Sequence, residues 1–195
     1  MVRLGILGST KGTDMQAIID AINTGQLDAS IEIVISNKSD SYILERAQKH
    51  NINSAFIGHQ NKDREFFDRE LSFLLSQNNV DLILLIGFMR ILSPWFCNKW
   101  KGKVLNVHPS LLPHYAGNMD TNVHEEVLKN SDSETGCTIH LVTDELDAGP
   151  IIIQKKCKVE KADTPDTLKE KVQQLEGEAF IEVIQKIGSD TFTRK

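Results

Sequence analysis

Apolar positions recur along this chain in two alternating rhythms. Short β-branched or leucine-rich runs cover residues 2–8, 31–36, 54–57 and 82–86. Runs of that length between turn residues predict strands. Between them the apolar spacing widens to three and four. Met15, Ile18, Ile19 and Ile22 predict a helix over residues 13–23, and Leu44 and Ala47 predict another over 41–50. Phe66, Phe67, Leu71, Leu74 and Leu75 share one face of a longer predicted helix over 63–78. The rhythm then changes. Residues 104–107 predict a strand, 123–129 a helix, and 135–142 and 151–159 two strands. The loop joining those two strands is too short for a crossover, so they pair antiparallel. A closing helix opens at Thr164-Pro165-Asp166, with Thr164 as its cap and Pro165 in its first turn. It continues through Leu168, Val172, Leu175, Ala179, Val183 and Ile187, and the polar tail 188–195 is expected to fray. Strand–helix alternation places this chain in the α/β class. The expected fold is a mostly parallel, Rossmann-like sheet with an antiparallel C-terminal part and helices on both faces.

At 195 residues the chain is the size of one domain. Its 27 acidic against 22 basic residues give a net charge of -5, which argues against broad contact with nucleic acid or an anionic membrane. No apolar run approaches the roughly 18 residues that span a bilayer. Cys97, Cys137 and Cys157 have no Cys-x-x-Cys spacing and read as reduced thiols. The start, Met1-Val-Arg-Leu-Gly, enters a strand pattern directly and shows no signal peptide. These features predict a cytoplasmic protein.

Candidate chemistry concentrates in Val104-Leu-Asn106-Val-His108-Pro109-Ser-Leu-Leu-Pro113. Residues two apart on a strand share a face, so Asn106 and His108 can address one small volume. Pro109 and Pro113 then force the chain out of the strand. A neutral amide donor beside an imidazole suits a reaction in which an oxyanion forms and a proton moves. The plainer alternative is a buried histidine bonded to a carbonyl and an asparagine capping a turn. Downstream, Gly136-Cys-Thr-Ile-His140 leads into an acidic loop, Asp144-Glu-Leu-Asp147-Ala-Gly149-Pro150, which could equally be a solvated turn. The segment Gly8-Ser-Thr-Lys11-Gly12-Thr13-Asp14 joins the first strand to the first helix, where free N–H groups attract anions. It lacks the three spaced glycines of a dinucleotide fingerprint.

Taken together, N-V-H-P-S-L-L-P, then G-C-T-I-H, then L-D-A-G-P-I-I-I-Q resemble the 10-formyltetrahydrofolate-dependent formyltransferases, above all their purine-pathway branch. Gly87-Phe-Met-Arg90-Ile-Leu-Ser-Pro94 also looks like that family's folate segment, and the resemblance runs from about Val2 to about Ile187. It implies one formyltransferase domain over 1–195, with a phosphate-binding half (1–100) and a catalytic and folate-loop half (101–187). It implies transfer of a formyl group from 10-formyltetrahydrofolate, a co-substrate, to the amine of glycinamide ribonucleotide. Asn106, His108 and Asp147 would be catalytic, with Asp147 raising the pKa of His108. Gly12, Thr13, Asp14, Pro109 and Glu176 would hold the acceptor. Met89, Arg90, Ile91, Leu92, Val142, Thr143 and Asp144 would hold the folate. It implies no metal, and small-molecule partners to a monomer or homodimer.

The chain departs from the family pattern in three places. Asp14 stands where the phosphate loop usually has Asn, and a carboxylate repels phosphate; Lys11 could offset that charge, or Asp14 could turn away to cap the helix. Gly177 follows Glu176 where a His is frequent, and a glycine inside a helix points to a close approach or a kink. Residues 118–123 look longer than usual and could reshape the site's mouth, while His124 matches a His given a supporting role. Sugar-nucleotide formyltransferases are the competing reading, and a non-catalytic folate- or nucleotide-binding protein is a third. Methionyl-tRNA formyltransferases and deformylases carry additional domains that a 195-residue chain does not accommodate.

Overall fold

The five residues of Leu82–Ile86 are buried on both faces, and the sheet is arranged around them. In the computed structural model, which describes residues 1–117 and 122–189, they form β4. Before it come β1 (Val2–Gly8), α1 (Thr13–Asn23), β2 (Ala29–Ser36), α2 (Tyr42–Lys49), β3 (Ser54–Phe56) and α3 (Arg64–Gln77). After it come α4 (Pro94–Lys99), β5 (Val104–His108), α5 (Val123–Lys129), β6 (Glu134–Leu141), β7 (Ile151–Lys158) and α6 (Pro165–Gly188). The strand order is β3-β2-β1-β4-β5-β6-β7. Pairings from β3 through β5 are parallel, whereas β5–β6 and β6–β7 are antiparallel.

Alternation along β4 divides the interior in two. Leu82, Leu84 and Ile86 face α1, α2 and α6, packing with Met15, Ile18, Ile43, Val172 and Phe180. Ile83 and Leu85 face α3 and α4, packing with Phe67, Leu71, Leu75, Phe96 and Trp100. Helices thus cover both faces, which is why β4 shows no polar side at all. At the start of α6 the Thr164 hydroxyl accepts from the Thr167 N–H at 3.3 Å, while Thr167 Oγ1 accepts from the Thr164 N–H at 2.9 Å. This reciprocal cap satisfies two otherwise free donors.

The structure revises three expectations. Phe66 is 53% exposed and lies off the buried face of α3. The sheet-facing stripe runs through Phe67, Leu71 and Leu75, spaced by four, and Phe66 shares an outer stripe with Phe73 seven residues on. Helix α4 was not foreseen: six residues give too little periodicity, although the Ser93 cap and Pro94 are a standard start signal. Gly188 is the last residue of α6 rather than part of a tail, and 190–195 lie outside the described residues.

Candidate active site

The crossovers from β1 and β4 leave the sheet in opposite directions, which opens a crevice beyond their C-terminal ends. Its walls are pinned together. The Ser9 N–H donates to the Gly87 carbonyl at 3.1 Å, and the Met89 N–H donates to Ser9 Oγ at 2.9 Å. Gly87 sits at φ 58°, and a Cβ there would lie 2.4 Å from Thr10 Oγ1, so only glycine lets the two loops close up. The resulting cavity is about 590 Å³. Thr13, Asp14 and Glu176 line one end, and residues 89–92 with Val142, Thr143 and Asp144 line the other. Asn106, His108, Pro109 and Asp147 lie on its wall as well. Every residue expected at the site therefore borders the cavity except Gly12. Gly12 is buried at φ 67° as the N-cap of α1, and a Cβ there would meet Ile43 at 2.5 Å. It shapes the turn rather than facing the cavity. Each end of the cavity draws on both halves of the chain, since Glu176 joins the β1 loop and residues 89–92 face the β6–β7 loop.

The middle of the cavity holds a polar cluster set up by antiparallel register. β5 pairs with β6 so that Asn106 stands opposite His140. His140 Nδ1 lies 3.0 Å from the Leu141 carbonyl, which can only accept, so Nδ1 carries the proton. Nε2 is then an acceptor, 3.1 Å from Asn106 Nδ2. That contact aims one amide N–H at His140 and leaves the second for the cavity. The Ser110 hydroxyl donates its single proton to the His114 carbonyl at 2.6 Å. It must therefore accept from His108 Nδ1, 3.0 Å away. Proton exchange at His108 falls to Nε2, which lies 3.4 Å from Asp147 Oδ2. Asp147 Oδ1 is 3.6 Å from His140 Nε2, and Oδ2 also accepts the Gly117 N–H at 2.9 Å. Asp147 occupies the left-handed region at φ 52°, a conformation an aspartate tolerates better than most residues. Asp144 and Glu145 are exposed, so of the three loop acids Asp147 is the one brought to the imidazoles.

Burial pushes the His108 imidazole below its ordinary pKa, and His140 adds to this; Asp147 opposes both without overcoming them. The expectation that Asp147 leaves His108 raised is thus corrected: its pull is present, but desolvation is larger. Burial alone would raise the Asp147 carboxyl, yet the contact with His140, the Gly117 N–H and the nearby His108 together hold it below the usual range.

At the α1–α6 end Asp14 is 6% exposed, makes no cap to α1, and leaves Oδ1 without a hydrogen-bond partner. Burial raises its pKa to about 7. Because Asp14 is buried, the outward-turned cap does not hold; Lys11 is exposed and borders the same cavity. Glu176, 7% exposed, is also raised well above its ordinary value by burial and by Asp14, with Lys169 opposing. Gly177 marks a close approach rather than a kink: a Cβ there would lie 2.8 Å from Ala17 Cβ on α1.

At the opposite end Met89 is 48% and Ile91 41% exposed, forming an open apolar shelf, whereas Leu92 is core beside α4. The Arg90 guanidinium stacks 4.4 Å over Phe67, and its buried Nε has no partner. Residues 118–121 lie outside the described residues; Asn122 next to them caps α5 through the His124 N–H at 3.2 Å. Sequence reasoning gave no role to His140, Lys169 or Gln173, all of which border the cavity. Helical spacing of three and four from Glu176 back to Gln173 and Lys169 could have flagged the last two. His124, buried with an unpartnered Nδ1, also faces the cavity.

The chain and its fold have known counterparts. The chain is 43% identical over 169 residues to phosphoribosylglycinamide formyltransferase of Escherichia coli (strain K12), covering 86% of this chain and 78% of that one. It is 40% identical to the human trifunctional purine biosynthetic protein adenosine-3 over 190 residues, but spans only 18% of that protein's length. The solved phosphoribosylglycinamide formyltransferase of Coxiella burnetii superimposes with a TM-score of 0.90 at 40% identity, covering 96% of this chain and 87% of that one. The pattern describing the formyl transferase family matches residues 2–184, essentially everything from β1 into the last turns of α6. With the family's pattern running through every wall of the cavity, the chain belongs to the formyl transferases.

Proposed function

We propose that this protein moves the formyl group of 10-formyltetrahydrofolate onto the primary amine of glycinamide ribonucleotide, the step its bacterial relatives are named for. The observation that carries the reading is the convergence of Asn106, His108 and Asp147 between an anion-attracting helix start and an exposed apolar shelf. The acceptor's sugar phosphate lies toward Thr13, Asp14 and Glu176, its glycinamide arm along Pro109, and the folate against Met89, Arg90, Ile91, Leu92, Val142, Thr143 and Asp144. The amine attacks the formyl carbon, and the carbonyl electrons move onto oxygen. The free amide N–H of Asn106 stabilises that oxyanion, and His108 Nε2 adds to this once it has taken the proton of the attacking amine. As the oxyanion collapses, the bond from carbon to the folate nitrogen breaks. The attacking amine loses a proton and the departing folate nitrogen gains one. His108 and Asp147 carry the proton between them, so charge balances over the cycle. Burial holds the His108 imidazole below its ordinary pKa, which leaves Nε2 free to take the amine's proton and quick to pass it on to the departing folate nitrogen. The whole domain serves this one reaction, in the cytoplasm, on small molecules; among the described residues no helix is long and apolar enough to cross a membrane.

Purified protein should release tetrahydrofolate in the presence of 10-formyltetrahydrofolate and glycinamide ribonucleotide, and not with an amino-sugar nucleotide in place of that acceptor. The reverse preference would move the assignment to sugar-nucleotide formylation. Silence with both acceptors, despite folate binding, would favour a non-catalytic protein.

A further inference from the structure

The α1–α6 end of the cavity contains a feature that formyl transfer does not call for: two buried carboxyls. Asp14 comes from the second residue of α1 and Glu176 from the middle of α6, and both line the cavity. They are brought together by the Gly177–Ala17 contact, where the helices approach too closely for a second Cβ. Asp14 Oδ1 is enclosed, unpartnered, and more than nine-tenths buried with its side chain. Two carboxylates desolvated in one cavity repel each other and any anion beside them.

We propose that Asp14 is an acceptor-specificity residue that works as a neutral acid, donating its carboxyl O–H to the acceptor's sugar phosphate. This rests on the reading that a sugar phosphate occupies the α1 end. A protonated carboxyl offers one O–H donor there, where an amide would offer N–H donors. An ionised one offers only acceptors to a dianion. Acceptor affinity is then highest while Asp14 holds its proton and declines as pH rises past its titration near 7. The surroundings agree. Glu176 and Lys169 face it from α6, and Lys169 acts on Glu176 rather than on Asp14. The buried Cys137 thiol lies behind on β6, its pKa pushed up to about 12 by burial, Glu176 and Asp14 among others. On the loop side Lys11 is exposed, and Arg46 from α2 is engaged by the Lys11 carbonyl at 3.2 Å and by Gln16 at 2.5 Å. His124 on α5 is itself held below its ordinary pKa by burial and Lys169.

The test is calorimetric binding of ribose 5-phosphate from pH 6 to pH 8, in wild type and in Asp14→Asn and Asp14→Ser. The phosphate's own titration is common to all three, so the ratio of dissociation constants isolates Asp14. Relative to Asp14→Asn, wild-type Kd should rise about tenfold between pH 6 and pH 8, the linkage expected when one group must stay protonated. A carbonyl-region ¹³C titration of free wild type should show a carboxyl with a midpoint near 7 that is missing in Asp14→Asn. Asp14→Ser, a smaller neutral donor, should also give a flat ratio to Asp14→Asn. Parallel pH profiles in wild type and Asp14→Asn, or no ribose 5-phosphate binding at pH 6, would overturn the proposal. Neither measurement involves formyl transfer, so a failed transferase assay and a failed donor role are separate results.

Discussion

Replacing Gly177 by Ala sets two effects of similar size against each other. Alanine is the better helix former by about 1 kcal/mol. Its methyl, however, would stand 2.8 Å from Ala17 Cβ. Carbon atoms rest about 3.5–4.0 Å apart, so α6 must move from α1 by about 1 Å. Neither methyl can rotate away, because both are fixed to backbone. Overpacking of this kind costs about 1–3 kcal/mol. The balance is a net loss of about 1 kcal/mol, which for a chain of this size lowers Tm by roughly 2–4 °C. The displacement matters more for binding, since Glu176 is the adjoining residue. A shift of about 1 Å at a positioning group can cost up to about 100-fold. Here that loss should appear in acceptor KM, while kcat at saturation and folate KM stay near wild type. Calorimetric unfolding and steady-state kinetics with each substrate varied would measure both. A Gly177→Ala protein with a raised Tm and unchanged acceptor KM would refute the idea that this contact sets the helix spacing.

Asn106→Ala should fold normally and lose about 100- to 1000-fold in kcat, as expected for one oxyanion donor; near-native turnover would remove Asn106 from the reaction. Asp147→Asn should move the His108 titration further down, because burial then acts unopposed, and should cost turnover at least about 100-fold; imidazole NMR in both proteins checks the shift, and an unchanged titration would break the assigned contact. Asp14 predicts a pH slope in stability. The unfolded carboxyl releases its proton near pH 4, the folded one near 7, so the native state binds the extra proton and wild-type stability falls as pH rises across that window. Asp14→Asn should remove up to about 1.4 kcal/mol of that loss per pH unit, which urea midpoints at pH 5 and pH 8 would reveal.

Local patterns carried most of the architecture. β4 was legible because a strand buried on both faces has no polar position, and α1 because its apolar spacing is uninterrupted. Asn106 and His108 were legible as a pair because period two needs only one strand. His140 was not, although its motif was visible. Its place opposite Asn106 follows from a pairing across 34 residues that no local pattern contains. Gly12 was assigned to the ligand because a glycine in a phosphate loop suggests contact; its φ of 67° and the crowding by Ile43 show that it also supports the turn. The protonation of Asp14 was equally out of reach. It depends on enclosure by α6, which begins 151 residues later.

The strand order also separates the molecule's evolvable parts. β5, which carries Asn106 and His108, is flanked by β4 on one side and β6 on the other. The loop after β4 lines one end of the cavity, whereas α1 and α6 line the other from outside the sheet. On the proposed reading, substitutions on the two helices would alter the acceptor's end of the cavity without disturbing β5 or the loop after β4. Asp14 and Gly177 both lie on those helices.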